Sequence, residues 1–266
     1  MGLIRKYIPL HHPCRLFHAG EERLSYLELV KNRVARRREF LPFVPTEPAS
    51  LAVTDIAREV GKGEAALILP STHFIFNVFE FDRLPWAAAP RDELIRWKLE
   101  KVFPENLDLY HHHAAVIARR HVLSILIRRS LVDQCEEAFA RAGLELTEIA
   151  CSTVTAASAL LPRRSCADLW LEMDGAANLL FSSSRGRPLY IRKFRTGDTA
   201  ETVAEVTRTA EYITNNYQLT PRSFQLVSLD EERKRSVRAG LLEAGLQERS
   251  LLPRRLLQFP TTPWQN

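Results

Sequence analysis

Hydrophobic and polar positions follow two rhythms along this chain. From 65 to 81 they crowd at strand spacing, with the run Ala65-Ala66-Leu67-Ile68-Leu69 followed by Phe74, Phe76 and Val78. The segment is too apolar for an exposed edge, and Pro70 divides it in two. A polar joint covers 82–90. The rhythm then turns helical: Leu94, Ile95, Leu99, Val102 and Phe103 share one stripe, Pro90 and Asp92-Glu93 suit the first turn, and Pro104 stops the helix. Strands are predicted over 107–117 and 121–128. A second helix, 130–142, places Val132, Cys135, Phe139 and Ala142 on one face. Ser130 and Asp133 stand at capping-box spacing, and Gly143 supplies a left-handed exit. Residues 65–143 thus form a compact α+β unit.

The flanks read less sharply. A strand is predicted at 14–18. The segment 23–30 fits alternation through Leu24, Tyr26 and Val30, and a helix through Leu24, Leu27 and Val34; strands are preferred. Three prolines make 41–48 a loop, and Ser50 and Gly61 bracket a helix. Beyond 143 come a short strand at 145–149, a small-residue helix at 152–161, and a three-stranded meander with turns at Asp174-Gly175 and 185–188. Asp198 caps the strongest helix, which carries Val203, Val206, Ala210, Ile213 and Tyr217 at intervals of three and four. A strand at 224–229, a charged helix at 230–244 closed by Gly245, and a tail with two prolines complete the chain. No sequence repeat of solenoid length occurs.

Composition narrows the function classes. At 266 residues and 45% hydrophobic content the chain can build one large domain or two lobes with real cores. No apolar run approaches the roughly 20 residues of a membrane span. The first 13 residues lack the apolar segment of a leader peptide, so a cytoplasmic location is expected. Cys14, Cys135, Cys151 and Cys166 are scattered, which suggests neither a zinc site nor a disulfide framework. Net charge is +5, with arginine clusters at 36–38, 119–120, 128–129, 163–164 and 254–255. They are spread out and not interleaved with aromatics, which favours solvated faces and an anionic membrane surface nearby over nucleic acid. Only 10 glycines occur, and no Gly-x-Gly-x-x-Gly or P-loop pattern, which disfavours a phosphate-cradling loop.

Candidate chemistry is sparse. His111 and His113 share a strand face that His121 could approach, but Asp108 is the only acidic residue nearby, so a solvated face is the better reading than a metal site. Ser71-Thr72 and Ser182-Ser183-Ser184 have no His/Asp arrangement beside them. Glu172 and Asp174 lie two apart on one strand face and read as an acidic pair flanking a turn.

Several segments, taken in order, resemble PilM, the actin-like family of type IV pilus assembly. They are ALILPSTHFIFNVFEFDRLP, RDELIRWKLEKVFPENLDLYHHHAAV, LVDQCEEAFARAGLELTEIACSTVTAASAL, LWLEMDGAANLLFSSSRGRPLYIRKFRTG and AEVTRTAEYITNNYQ, spread over about 50–250. They are also similar to the cytoplasmic, actin-like domain of type II secretion GspL-type proteins. The resemblance implies a mixed α/β, actin/Hsp70-like (ribonuclease H-like) fold of two lobes with an inserted α+β subdomain. Residues 1–150 would be the first lobe, with the insertion at about 65–143; 151–250 would be a reduced second lobe, and 251–266 a tail. The family's first phosphate loop reads Asp-x-Gly; here the stretch is FHAGEERLSYLEL, with Glu21-Glu22 where a triphosphate would be repelled. Asp174 and Gly175 are what remains of the second loop. The late strand runs into LVSLDEERKRS without a glycine pair, and the link from RTGD to TAETVAEV is too short for a nucleotide-covering subdomain.

The resemblance therefore implies a truncated, non-catalytic cytoplasmic scaffold, peripheral at the inner membrane, with no cofactor. Its partner would be an inner-membrane protein with a short cytoplasmic tail, as PilN is for PilM. The region of Phe74, Phe76 and Phe79 is the place to search for the contact, although core packing explains those rings equally well. The alternative is an ATP-binding assembly protein in which Asp174 holds magnesium through water. Homo-oligomerisation is left open.

Overall fold

The computed structural model describes residues 14–19, 24–30, 33–40, 61–118, 120–154, 167–174, 177–184, 187–228 and 230–249. The helix expected at 50–60, most of that at 152–161, and the tail lie outside them.

Two five-stranded sheets carry the fold. The first has the order β3-β2-β1-β4-β8, built from β1 (Cys14–Ala19), β2 (Leu24–Val30), β3 (Arg33–Phe40), β4 (Gly63–Leu69) and β8 (Leu144–Cys151). The second has the order β11-β10-β9-β12-β13, from β9 (Ala167–Asp174), β10 (Ala177–Ser184), β11 (Arg187–Arg195), β12 (Ser223–Ser228) and β13 (Gln247–Glu248). In each, three antiparallel strands are followed by two strands parallel to the first. The same topology is used twice although no sequence period announces it. This is the two-lobed plan that the resemblance implies.

Between β4 and β8 the chain leaves the first lobe. A short 3-10 turn, Ser71–His73, follows Pro70 and leads into β5 (Phe74–Glu80), so the proline does divide the apolar run. Helix α1 (Ala88–Val102) crosses one face of a three-stranded sheet, β5-β7-β6, completed by β6 (Tyr110–Ala118) and β7 (His121–Arg128). Phe79, Phe81, Ile95, Leu99, Leu107, Tyr110, Val122 and Leu126 form the core between them. Helix α2 (Arg129–Arg141) then returns to cover the first lobe, seating Val132, Cys135 and Phe139 on Phe17, Tyr26, Leu67 and Ile149. Burial pushes the Cys135 thiol up to about 12, in keeping with a small buried hydrophobe.

Two local expectations need correction. Ser130 does not cap α2: the N-cap is Arg128, with no side-chain cap bond, because β7 runs into the helix without a loop and leaves Ser130 inside the first turn. Pro90 sits at the third position of α1, and Asp92-Glu93 fall just beyond the first turn. The proline is still harmless there, since the first four N–H groups of a helix lack intrahelical partners. Gly143 takes φ +77° as expected.

In the second lobe α3 (Thr199–Tyr217) and α4 (Glu231–Glu243) cover one sheet face. Leu169, Leu171, Leu180, Phe224, Val206, Ile213, Val237 and Leu241 fill the space between. The helices pack closely at Gly240, where a Cβ would meet Val203 Cγ2 at 2.7 Å. Only Thr196, Gly197 and Asp198 join β11 to α3, so no subdomain is inserted there. No helix among the described residues is long and apolar enough to cross a membrane.

Candidate functional site

The other face of the second sheet meets the first lobe and its insertion. Alternation puts Trp170 and Glu172 of β9, Leu179 and Phe181 of β10, and Ile191 and Lys193 of β11 on that face, in cross-strand register. Trp170, Leu179, Phe181, Ile191 and Val227 pack against Leu123, with Phe76, Val78 and Ile125 of the insertion alongside. The seam between the halves is therefore apolar over most of its extent.

Its remaining part is polar and lies at the carboxyl ends of β4 and β8. Lys193 Nζ donates to the carbonyl oxygens of Thr72 at 2.9 Å and Ser71 at 3.4 Å. Burial, then Arg195, lowers the Lys193 pKa. Ser152 Oγ donates to Glu172 Oε1 at 3.1 Å, and both residues are buried. Beside them Cys151 is buried; desolvation, then the charge of Glu172, pushes its thiol up to about 12, which disfavours the thiolate. These bonds join backbone and side chains across the seam.

The N-termini of the two second-lobe helices are closed by the chain itself. Asp198 Oδ1 accepts from the Glu201 N–H at 2.7 Å, and the Glu201 carboxylate accepts from Thr196 Oγ1 at 2.7 Å. Asp230 Oδ1 accepts from the N–H groups of Glu232 at 3.1 Å and Arg233 at 2.9 Å. An N-terminus that could hold a phosphate thus holds a carboxylate in both helices. Arg233 Nη2 reaches back from α4 to donate to the Thr196 carbonyl at 2.7 Å and Asn178 Oδ1 at 3.0 Å. One guanidinium ties the start of α4 to the start of β10 and the end of β11.

The sequence candidates separate. Phe74 is buried in the first-lobe core and Phe79 in the insertion core under α1; Phe76 is half-buried at the seam. Phe74 and Phe76 face one side of β5 and Phe79 the other, so the three rings form no common surface. The backbone of Asp174 ends β9; Gly175 lies outside the described residues. Glu172 is not a solvated acid beside a turn: it is buried at the seam. His121 pairs with Ala118, while His113 pairs with Ile125, four residues along β7 from His121 and so roughly 13 Å away. Among the described residues no cluster of three metal-ligating side chains exists.

Lys193, Ser152 and Arg233 were not anticipated. Lys193 had a signal, since it stands in phase with Ile191 on a strand whose inward face is otherwise apolar.

His18, at the end of β1, is 6% exposed, and burial lowers its pKa from 6.5 to about 4. Below pH 6.5 the unfolded chain takes up this proton and the folded protein does not. Stability is therefore full above pH 6.5 and falls until about pH 4, by about 3 kcal/mol for this group. Urea unfolding at pH 7 and pH 4.5 will show His18→Gln losing less between the two than the parent chain; equal losses would exclude His18 as a source.

No family model and no curated protein sequence matches this chain. Solved structures do. The chain superposes on one from a PilM–PilN type IV pilus biogenesis complex at TM-score 0.70 and 15% identity, covering 93% of this chain and 94% of that one. It superposes on the cytoplasmic domain of EpsL, an inner-membrane component of the type II secretion system of Vibrio cholerae, at 0.58 and 14%, covering 96% and 97%. A Bacteroides thetaiotaomicron protein with an actin-like ATPase fold and unknown function matches at 0.55 and 10%, covering 92% and 95%. The fold is the actin-like one.

Proposed function

We propose that this actin-like chain is a non-catalytic cytoplasmic scaffold of a type IV pilus or type II secretion-like assembly. It receives the short cytoplasmic tail of a PilN-like inner-membrane partner, and it binds no nucleotide. The observation that carries the reading is the self-closure of the places a nucleotide would need. Both helix N-termini are capped by the chain's own aspartates, and Arg233 bridges Asn178 and Thr196. Asp230, Glu231 and Glu232 crowd the start of α4, where the adenosine of an actin-like protein would lie by resemblance. A triphosphate would have to displace carboxylates from N–H groups they already satisfy. The seam bonds of Lys193 and Ser152 support this reading, since they join the two halves directly.

The partner reading rests on the shared architecture with a pilus complex and a secretion domain. The net charge of +5 suits a protein held against anionic headgroups. In the test, the short cytoplasmic tail of a PilN-like single-span membrane protein is immobilised as a peptide. The chain is expected to be retained on it without ATP, and ATP with magnesium is expected not to change the amount. Absence of retention contradicts the scaffold reading; retention only with ATP favours the alternative, an ATP-binding assembly protein.

A further inference from the structure

Away from the seam the second lobe carries a groove of about 450 Å³. Clefts of roughly 300–1,000 Å³ are the size that takes small molecules. Its walls come from three places: the face of α3 between Thr207 and Asn215, the segment 220–222 that leads into β12, and the exit of α4 at 244–246. It therefore lies at the far end of α4 from the Asp230 cap, about 20 Å away for a helix of 13 residues. No seam residue lines it.

Part of the lining is apolar although threonines contribute to it. Thr207 Oγ1 donates to the Val203 carbonyl and Thr214 Oγ1 to the Ala210 carbonyl, each at 2.9 Å. Their hydroxyl protons are spent on the helix, so their methyl groups join Ala210 and Pro221 in the wall. Two charges of opposite sign stand in the same lining, Glu211 and Arg222, both exposed. Among the described residues neither side chain has a hydrogen-bond or ion-pair partner, and they do not pair with each other. The other two glutamates of α3 are engaged: Glu201 accepts from Thr196, and Glu205 pairs with Arg192 and Arg208. The last turn of α3 and the end of α4 both border the groove, and helix C-termini favour a cation.

We propose that this groove binds a small zwitterion with an apolar body, of the class of a free apolar amino acid or dipeptide. The ammonium goes to Glu211 and the two helix ends, the carboxylate to Arg222, and the side chain to the threonine methyls, Ala210 and Pro221. A ligand with a single charge would answer one of the two unpaired residues and leave the other, whereas a zwitterion answers both and brings no net charge. The groove is separate from the seam, so the site stands or falls independently of the scaffold reading.

The full chain is titrated with L-leucine at about pH 6.5, where the amine is charged, and followed by amide chemical shifts. Shifts are expected at 207–215, 220–222 and 244–246, saturating in the millimolar range that suits so small a ligand. Glycine, which has both charges and no apolar body, is expected to bind about fivefold or more weakly. L-Leucinamide keeps only the ammonium: Glu211→Gln is expected to weaken it about fivefold, and Arg222→Gln to leave it as it was. 4-Methylpentanoate keeps only the carboxylate, and the dependence reverses. Both variants are expected to keep the parent Tm, because both residues are exposed and unpaired. Shifts outside the groove, or equal losses in the two variants for both analogues, overturn the proposal. So does silence with leucine and leucyl-leucine; if the PilN-like tail peptide then shifts these residues, the groove belongs to a protein.

Discussion

Phe181→Ala will cost the fold about 3–5 kcal/mol, the usual range for emptying a phenylalanine from a packed core. Its ring is 1% exposed on β10, between its cross-strand neighbours Trp170 and Ile191. All three belong to the apolar seam that also takes Leu123 from the insertion. The cavity would open between subdomains and not inside one. Chemical denaturation will therefore show lower stability with one cooperative transition, and hydrogen exchange will quicken in β5 and β7 as well as in β10. A loss below about 1 kcal/mol, or faster exchange confined to β10, would mean the seam is not part of the cooperative core.

Arg249→Met will cost about 3 kcal/mol, because it strands a buried carboxylate. Arg249 Nη1 lies 2.5 Å from Asp168 Oδ2, and Ser223 donates to the same carboxylate. Asp168 is 6% exposed at the start of β9, the central strand of the second sheet. Removing the guanidinium leaves a charge with one hydroxyl partner in a poorly solvated site. Replacing both residues, Asp168→Leu with Arg249→Met, is expected to recover most of the loss, since no unpaired charge remains. A double variant as unstable as the single one would assign the cost to packing.

Much of the fold was legible because its strands obey simple phase. Apolar residues recur at strand spacing around Pro70, Asp174-Gly175 and 185–188; in the structure a 3-10 turn follows Pro70, β9 ends at Asp174, and β10 ends at Ser184 with β11 starting at Arg187. Asp198 and Asp230 cap the helices they seemed to open. β3 was illegible for a physical reason: an edge strand can carry charge in place of apolar alternation, so Arg36-Arg37-Arg38 reads as a charge cluster. The false cap at Ser130 came from a strand that becomes a helix with no intervening loop. The duplication of the two lobes left no trace because it is one of strand order, which many sequences satisfy.

The seam was legible only in part. Lys193 and Glu172 stand out as charged residues in apolar phase, yet which backbone or hydroxyl each meets depends on how the lobes close. Arg233 looked like one more arginine on a charged helix. Its link to Asn178 and Thr196 spans 55 and 37 residues, beyond what local spacing can suggest.

The claim that the ancestral cleft is shut by the chain's own groups is tested most directly by calorimetric titration of the full chain with ATP and magnesium. No saturable heat is expected up to millimolar nucleotide. A single-site isotherm with a micromolar Kd would contradict it, for then the aspartate caps and the Arg233 bridge would have yielded to a triphosphate.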